Sequence, residues 1–478
     1  MLFNSMAFAI FLPIVFIIYW AIPHKFRWPL LLVVSYYFYM SWNPKYVVLI
    51  LFTTIISYAA GLIVEHCKSI KGKRITLAVT LFSSLGVLFF FKYFNFISES
   101  ISDLLGLFSI RLNPIILKIT LPVGISFYTF QTLSYVIDVY RGDVKAERNF
   151  GIYATFISFF PQLVAGPIER TSNLLPQIKS EKHFDYDKAA YGLKLMAWGY
   201  FKKIAIADVL AVYVDKVYDG IGTIQGLDYA LAILFFTIQI YCDFSGYSDI
   251  AIGASKLLGI DLMTNFKSPY FSKSVKEFWS RWHISLSTWF KDYVYIPLGG
   301  NRCSPIKNYR NLFITFAVSG LWHGANWTFV IWGAMHGVLQ ILEKMFNSFL
   351  KKFRNKNCLT GICSTLLVFI FCNLAWVVFR ADSLYDAARV IYHALFDLRD
   401  PGSYFYMARS LTKTTPFKIS FSLIILGIFD YFSLKKDVIE WVSRQKLFFR
   451  WMIYILLVFL ILVNMPVNNE TAFIYFQF

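Results

Sequence analysis

Apolar residues gather along this chain into long runs, near 2–22, 29–41, 46–64, 76–94, 115–137, 191–213, 228–247, 311–325, 326–347, 362–380, 418–434 and 449–466, with polar intervals between them. A run of about 18 or more such residues can cross a bilayer as a helix. The pattern predicts an all-α polytopic membrane protein with about eleven or twelve transmembrane helices, several of them short and aromatic. Three longer polar stretches, 166–190, 264–310 and 381–417, are places where interfacial or re-entrant helices could carry chemistry. No internal repeat or low-complexity linker interrupts the pattern, so 1–478 reads as a single membrane domain. The first 23 residues hold no charge, and without the basic start of a cleavable signal peptide they read as a retained first span.

Composition agrees. Of the 478 residues, 57% are apolar or aromatic and only 15% are charged, with a mean hydropathy of +0.55. Soluble domains carry about 45–50% and about 25%, so a water-soluble enzyme is excluded. A net charge of +18 would suggest nucleic acid in a soluble protein. In a membrane protein it is what Lys and Arg crowded into cytoplasmic loops produce, and no nucleic-acid partner is expected.

The same charges set orientation. Lys68, Lys71, Lys73 and Arg74 face only Glu65 in 65–74, and eight Lys or Arg face only Glu277 and Asp292 in 264–310. Both stretches belong in the cytoplasm, whereas the loop 95–114 and the tail after 466, poor in basic residues, belong outside. Twelve spans threaded through these assignments put both termini outside, in a bacterial cytoplasmic (inner) membrane. The six cysteines form no CxxC pair, so neither a zinc site nor a disulfide framework is expected.

An ionisable group inside the apolar slab is costly and persists only where it faces protein or water. His24, His66, His183 and His393 fall in or beside polar loops, where an interfacial imidazole needs no special reason. His323 differs. It stands in AVSGLWHGANWTFVIWG between Gly320 and Gly324, which allow close backbone approach or a helix break. His283 lies in KEFWSRWHISLSTWFKDYVYIPLGG. Wound as one helix at about 100° per residue, Trp279, His283, Leu286 and Phe290 share a face, with Glu277, Arg281, Ser285 and Thr288 opposite. An incidental His on an interfacial helix is the competing reading. His336 follows His323 by 13 residues, about 20 Å and about 220° away on an unbroken helix, so the two share a site only if the chain breaks near Gly324. Asp243 and Asp249 sit in YCDFSGYSDIAIG, where small residues permit an unwound or tightly packed segment, and each could equally be a helix-packing hydrogen bond.

A neutral imidazole in a water-poor passage can accept the proton of a hydroxyl as its oxygen attacks an activated acyl group. No GxSxG nucleophile elbow accompanies it, so direct transfer from a thioester fits better than a covalent hydrolase route. The basic stretch, with Lys276, Arg281, Trp282, Lys291 and Arg302, would suit the phosphates of an anionic donor, although the positive-inside rule also accounts for it. No metal site and no bound cofactor are expected.

These stretches carry a wider likeness. LPVGISFYTFQTLSYVIDVYRG at 121–142, FFPQLVAGPIERTSNLLPQ at 159–177, YCDFSGYSDIAIGASKLLGI at 241–260, the 265–302 segment, SGLWHGANWTFVIWGAMHG at 319–337 and the terminal FIYFQF resemble the membrane-bound O-acyltransferase family, in its alginate and peptidoglycan O-acetyltransferase branch. The resemblance implies a ring-like helical fold with a central tunnel from a cytoplasmic donor site to an outer acceptor site, its catalytic motifs within 121–337. It implies His323 as the defining histidine and His283 as the second recurrent polar position. It also implies acetyl-CoA as donor and a separate extracytoplasmic SGNH-type transferase as partner, acting on a polysaccharide such as alginate, cellulose or peptidoglycan. Related systems end in an aromatic motif whose tyrosine is proposed to carry the acyl group, which singles out Tyr475; a tail anchored in the lipid interface is the alternative. A teichoic acid D-alanyltransferase is the nearest rival. A proton-coupled secondary transporter, relaying protons through the intramembrane His and Asp, is the remote one.

Overall fold

The computed structural model describes residues 1–164, 166–222, 224, 226–354, 357–397, 415–465 and 473. Among them every regular element is helical. Five helices are long and apolar enough to cross a membrane, Pro44–His66, Ile70–Leu107, Leu227–Leu257, Cys358–Arg380 and Pro416–Ser433, with Met6–Ala21 and Leu447–Val463 as shorter apolar ones. The chain is an all-α, multi-pass membrane protein.

Two compact units divide it, one of residues 1–193 with 251–263, the other of 194–250 with 264–478. The first holds α1 (Met6–Ala21), α2 (Arg27–Met40), α3 (Val47–His66), α4 (Ile70–Leu88), α5 (Phe94–Leu107), α6 (Ile125–Arg141), α7 (Phe150–Ser158), α8 (Phe160–Leu163) and α9 (Thr171–Lys179). Helix α4 runs through a π turn at Phe89–Tyr93 into α5, so the expected span 76–94 and much of the loop 95–114 are one continuous helical stretch. The expected span 115–137 is also corrected. Residues 110–122 form no regular element, and the helix starts only after Gly124, whose φ of 75° is a conformation open to glycine at little cost. Helix α6 is buried along nearly its whole length, and its polar side chains find partners within the unit: the Tyr135 hydroxyl accepts from the Glu147 amide at 3.0 Å and Gln131 donates to the Phe156 carbonyl at 2.8 Å.

Helices α10 (Tyr186–Tyr200) and α12 (Leu227–Leu257) run across the unit boundary, and α11 (Asp208–Asp219) lies between them in sequence. The second unit continues with α13 (Val275–Arg281), α14 (Ile284–Phe290), α15 (Pro305–His323), α16 (Trp327–Met345), α17 (Asn347–Arg354), α18 (Cys358–Arg380), α19 (Leu384–Phe396), α20 (Thr415–Ser433), α21 (Val438–Ser443) and α22 (Leu447–Val463).

Helices α15 and α16 form the tightest pair in this unit. The chain turns at Gly324, and Asn326 restarts the helix by accepting the Thr328 amide on its side-chain oxygen at 3.0 Å. Glycines let the two backbones meet: a Cβ on Gly320 would collide with the Phe329 carbonyl oxygen and stand 3.1 Å from the Cα of Gly333. Removing those side chains lets the hairpin close, as small residues do between helices in lipid.

Gly320→Ala should therefore lower the stability of the purified protein in lipid by about 1–3 kcal/mol, the usual cost of overpacking. Gly86→Ala, at a helical glycine with nothing within 4 Å of an added Cβ, should leave the unfolding midpoint unchanged or slightly raised. A thermal melt of both variants checks this.

Candidate active site

His323 is the last residue of α15 and is 3% exposed. The break at Gly324 folds α16 back beside it, so that Trp332 stands between two histidines, its ring 5.1 Å from His323 and 5.0 Å from His336. The condition for a shared site, a chain break near Gly324, is met. Trp322 and Phe379 close on His323 at 4.9 and 5.5 Å. Phe278, Trp282, Trp376 and Trp332 continue the aromatic wall, with Trp282 stacked on Phe278 and 5.0 Å from Trp376. His283 reaches the same wall through Trp322, at 6.2 Å. The second unit thus gathers three buried imidazoles into one cluster of aromatic rings.

The local chain explains each placement. The 275–290 segment is not the single amphipathic helix that its periodicity predicts. Ser274 caps α13 by accepting the Glu277 amide, α13 ends at Arg281, and His283 takes a left-handed conformation (φ 43°, ψ 54°) before α14 begins. Such backbone costs a non-glycine residue about 1–3 kcal/mol and gathers at functional sites. Two amides meet the loop that follows α12: Lys267 donates to the Arg281 carbonyl and Ile284 to the Asn265 carbonyl, both at 2.9 Å. The break keeps His283 among aromatics, as expected, but brings Ser285 in beside it rather than onto the opposite face. Asn265 accepts the Ser285 hydroxyl at 2.9 Å and lies 3.1 Å from His283 Nδ1.

His336 is held differently. Trp279 Nε1–H donates to its Nδ1 at 3.2 Å. An indole can only donate, so Nδ1 carries a lone pair, the ring is neutral and its proton sits on Nε2.

Asp243 and Asp249 belong to a separate buried network. Helix α12 stays continuous through YCDFSGYSDIAIG, and its small residues serve close packing: a Cβ on Gly246 would stand 2.8 Å from the Gly199 carbonyl oxygen. A π-helical turn, Phe201–Ala207, points Lys202 and Lys203 at the acids. Lys203 bridges Asp208 and Asp243 at 2.9 and 2.8 Å, and Lys202 meets Asp249 at 2.7 Å and the Ser245 hydroxyl at 2.8 Å. These carboxylates are held in ion pairs with Lys202 and Lys203. Two adjacent lysines inside the apolar stretch FKKIAIA are the sequence signal for such a network.

Of the donor candidates, Lys276, Lys291 and Arg302 are exposed, and Arg281 is half-buried and paired with Glu277 at 2.6 Å. Trp282 stands apart from them, buried in the aromatic wall. Tyr475 lies outside the described residues, as do 398–414 of the polar stretch 381–417; Phe473 packs against Phe244 and Tyr247 at 5.7 and 4.4 Å. Among the described residues no group of three His, Cys, Asp or Glu side chains is placed to hold a metal ion. The cluster offers neutral nitrogen bases and N–H donors in a dry setting, which suits proton transfer to or from a hydroxyl.

The family model of the membrane-bound O-acyltransferases matches residues 147–381. A probable alginate O-acetylase AlgI of Pseudomonas syringae pv. tomato is 41% identical over 403 residues, covering 84% of this chain and 76% of the relative. A peptidoglycan O-acetyltransferase of Helicobacter pylori is 35% identical over 430 residues, covering 82% and 79%. A teichoic acid D-alanyltransferase of Bacillus subtilis is 29% identical over 268 residues, covering 54% and 68%.

Lys203→Met would strand two carboxylates in the protein interior, and breaking a buried pair from one side costs about 3–5 kcal/mol. Its yield and unfolding midpoint should fall well below those of Lys276→Met, whose ammonium is exposed. Equal midpoints for the two variants would contradict the buried network.

Proposed function

We propose, since this chain belongs to the membrane-bound O-acyltransferase family and is an acyltransferase, that its reaction is O-acetylation: it takes acetyl from a cytoplasmic thioester, acetyl-CoA, and passes it outward to an extracytoplasmic polysaccharide by way of a separate SGNH-type transferase. Support for acetyl over D-alanyl comes from the relatives named for O-acetylation, which match over four-fifths of this chain. The relative named for D-alanyl transfer matches over about half. The membrane is the bacterial inner membrane, with the exposed Lys276, Lys291 and Arg302 facing the phosphates of the donor.

The observation that carries the reading is the position of His323: at the broken end of α15, buried, between Trp322, Trp332 and Phe379. The acceptor hydroxyl attacks the thioester carbonyl carbon, and a C–O bond forms as His323 takes the hydroxyl proton. The tetrahedral adduct then collapses, the C–S bond breaks, and the proton passes to the leaving thiolate. The imidazolium formed in between sits at the carbonyl end of α15, where the helix dipole favours a cation by about 0.3–1 kcal/mol. Water is kept out by the indole and phenyl rings, so the thioester is spent on the alcohol rather than hydrolysed.

His323→Ala in protein reconstituted with labelled acetyl-CoA, the SGNH-type transferase and short mannuronate or muropeptide acceptors should lose at least about 100-fold in acetyl transfer, with its unfolding midpoint near that of the parent. Full transfer by this variant, or labelling from a D-alanyl-charged carrier protein in place of acetyl-CoA, would overturn the reading.

A further inference from the structure

We infer that Asn265 is a positioning residue that fixes His283 in one tautomer, so that His283 accepts a hydrogen bond or proton through Nε2 rather than donating one to the acyl oxygen. This rests on the reading of the histidine cluster as the acyl-transfer centre.

Asn265 is fully buried. Its side-chain ends are distinguishable because one partner is a backbone amide: Oδ1 receives Ser285 N–H at 3.2 Å and Ser285 O–H at 2.9 Å, while Nδ2 donates to Ser248 Oγ at 3.2 Å. A peptide N–H can only donate, so the end facing Ser285 is the oxygen. That same oxygen lies 3.1 Å from His283 Nδ1, a contact that is favourable only when Nδ1 carries the proton. A neutral imidazole has one N–H, which leaves Nε2 with a lone pair. Nε2 is buried and has no hydrogen-bond partner among the described residues.

Aromatic rings surround the imidazole. Phe244 stands edge-on at 4.5 Å, with Phe266 at 6.4 Å and Trp322 at 6.2 Å. Of the titratable groups on these packed elements, Asp243 precedes Phe244 and is paired with Lys203, and His323 follows Trp322. His336, with its proton on Nε2, is the opposite tautomer in the same cluster. One site thus holds an imidazole built to accept and another built to donate.

The test uses the whole chain in lipid with labelled acetyl-CoA, the SGNH-type transferase and mannuronate oligomers, assayed across pH. Asn265→Leu should lose at least about tenfold in kcat with little change in KM for acetyl-CoA. Asn265→Asp keeps an oxygen at Nδ1 and should restore most of kcat. Its carboxylate favours the imidazolium, so the acid limb of the profile should move up by about 1 pH unit or more. A pH profile for Asn265→Asp that superposes on the parent, or a Leu variant with parental kcat, would overturn the inference. Should Asn265→Leu fail to fold, the 15N histidine spectrum of the parent decides, by subtraction of His283→Gln. A His283 signal protonated at Nδ1 supports the assignment, and one protonated at Nε2 defeats it. An inactive parent would instead overturn the functional reading, while the spectrum still reports the tautomer.

Discussion

An ionisable side chain withdrawn from water inside an apolar slab needs a protein partner, and this constraint organises the second unit. Lys202 and Lys203 are tolerated because Asp208, Asp243 and Asp249 neutralise them at hydrogen-bonding distance. His336 is tolerated because Trp279 supplies the donor its Nδ1 needs, and His283 because Asn265 supplies an acceptor. Charge is confined to the first group and neutral nitrogen to the second. On the proposed function, that separation keeps bases uncharged where a hydroxyl is to be deprotonated.

Helix breaks accomplish the gathering. An unbroken helix would spread His323 and His336 around its axis, and one from 275 to 290 would turn Ser285 away from His283. The turn at Gly324, permitted by the glycine contact between α15 and α16, and the left-handed His283 replace both. Local conformational cost is thereby exchanged for juxtaposition, the usual relation between strain and site. Rings of Trp322, Trp332, Trp376 and Phe379 fill the space between, and they resist collapse because aromatic pairs at these separations are themselves attractive.

Much of this was legible in the chain. Runs of apolar residues announced membrane helices, and His323 between two glycines announced a chain break; the transporter alternative falls with membership of an acyltransferase family. What stayed hidden has physical reasons. The irregular segment 110–122 is as apolar as a helix, so hydropathy alone makes it part of a span. Periodicity assumes an unbroken helix and therefore misplaced Ser285. Asn265, in the loop NFKSP, looks like an ordinary turn residue, and only its side-chain contacts with Ser248, His283 and Ser285 reveal a role. Lys202 and Lys203 were visible as charges in an apolar run, but their partners lie as far as 47 positions away in sequence, at Asp249.

The central claim is that His323 lies where the acyl group of a thioester can reach it from one compartment and an alcohol from the other. A density map of the full chain in lipid with a non-transferable acetyl-CoA analogue tests this most directly. The account predicts the acyl carbon beside the His323 ring, within the cluster of Trp322, Trp332 and Phe379. An analogue bound elsewhere, with that ring sealed against hydrocarbon and no passage alongside it, would contradict the account.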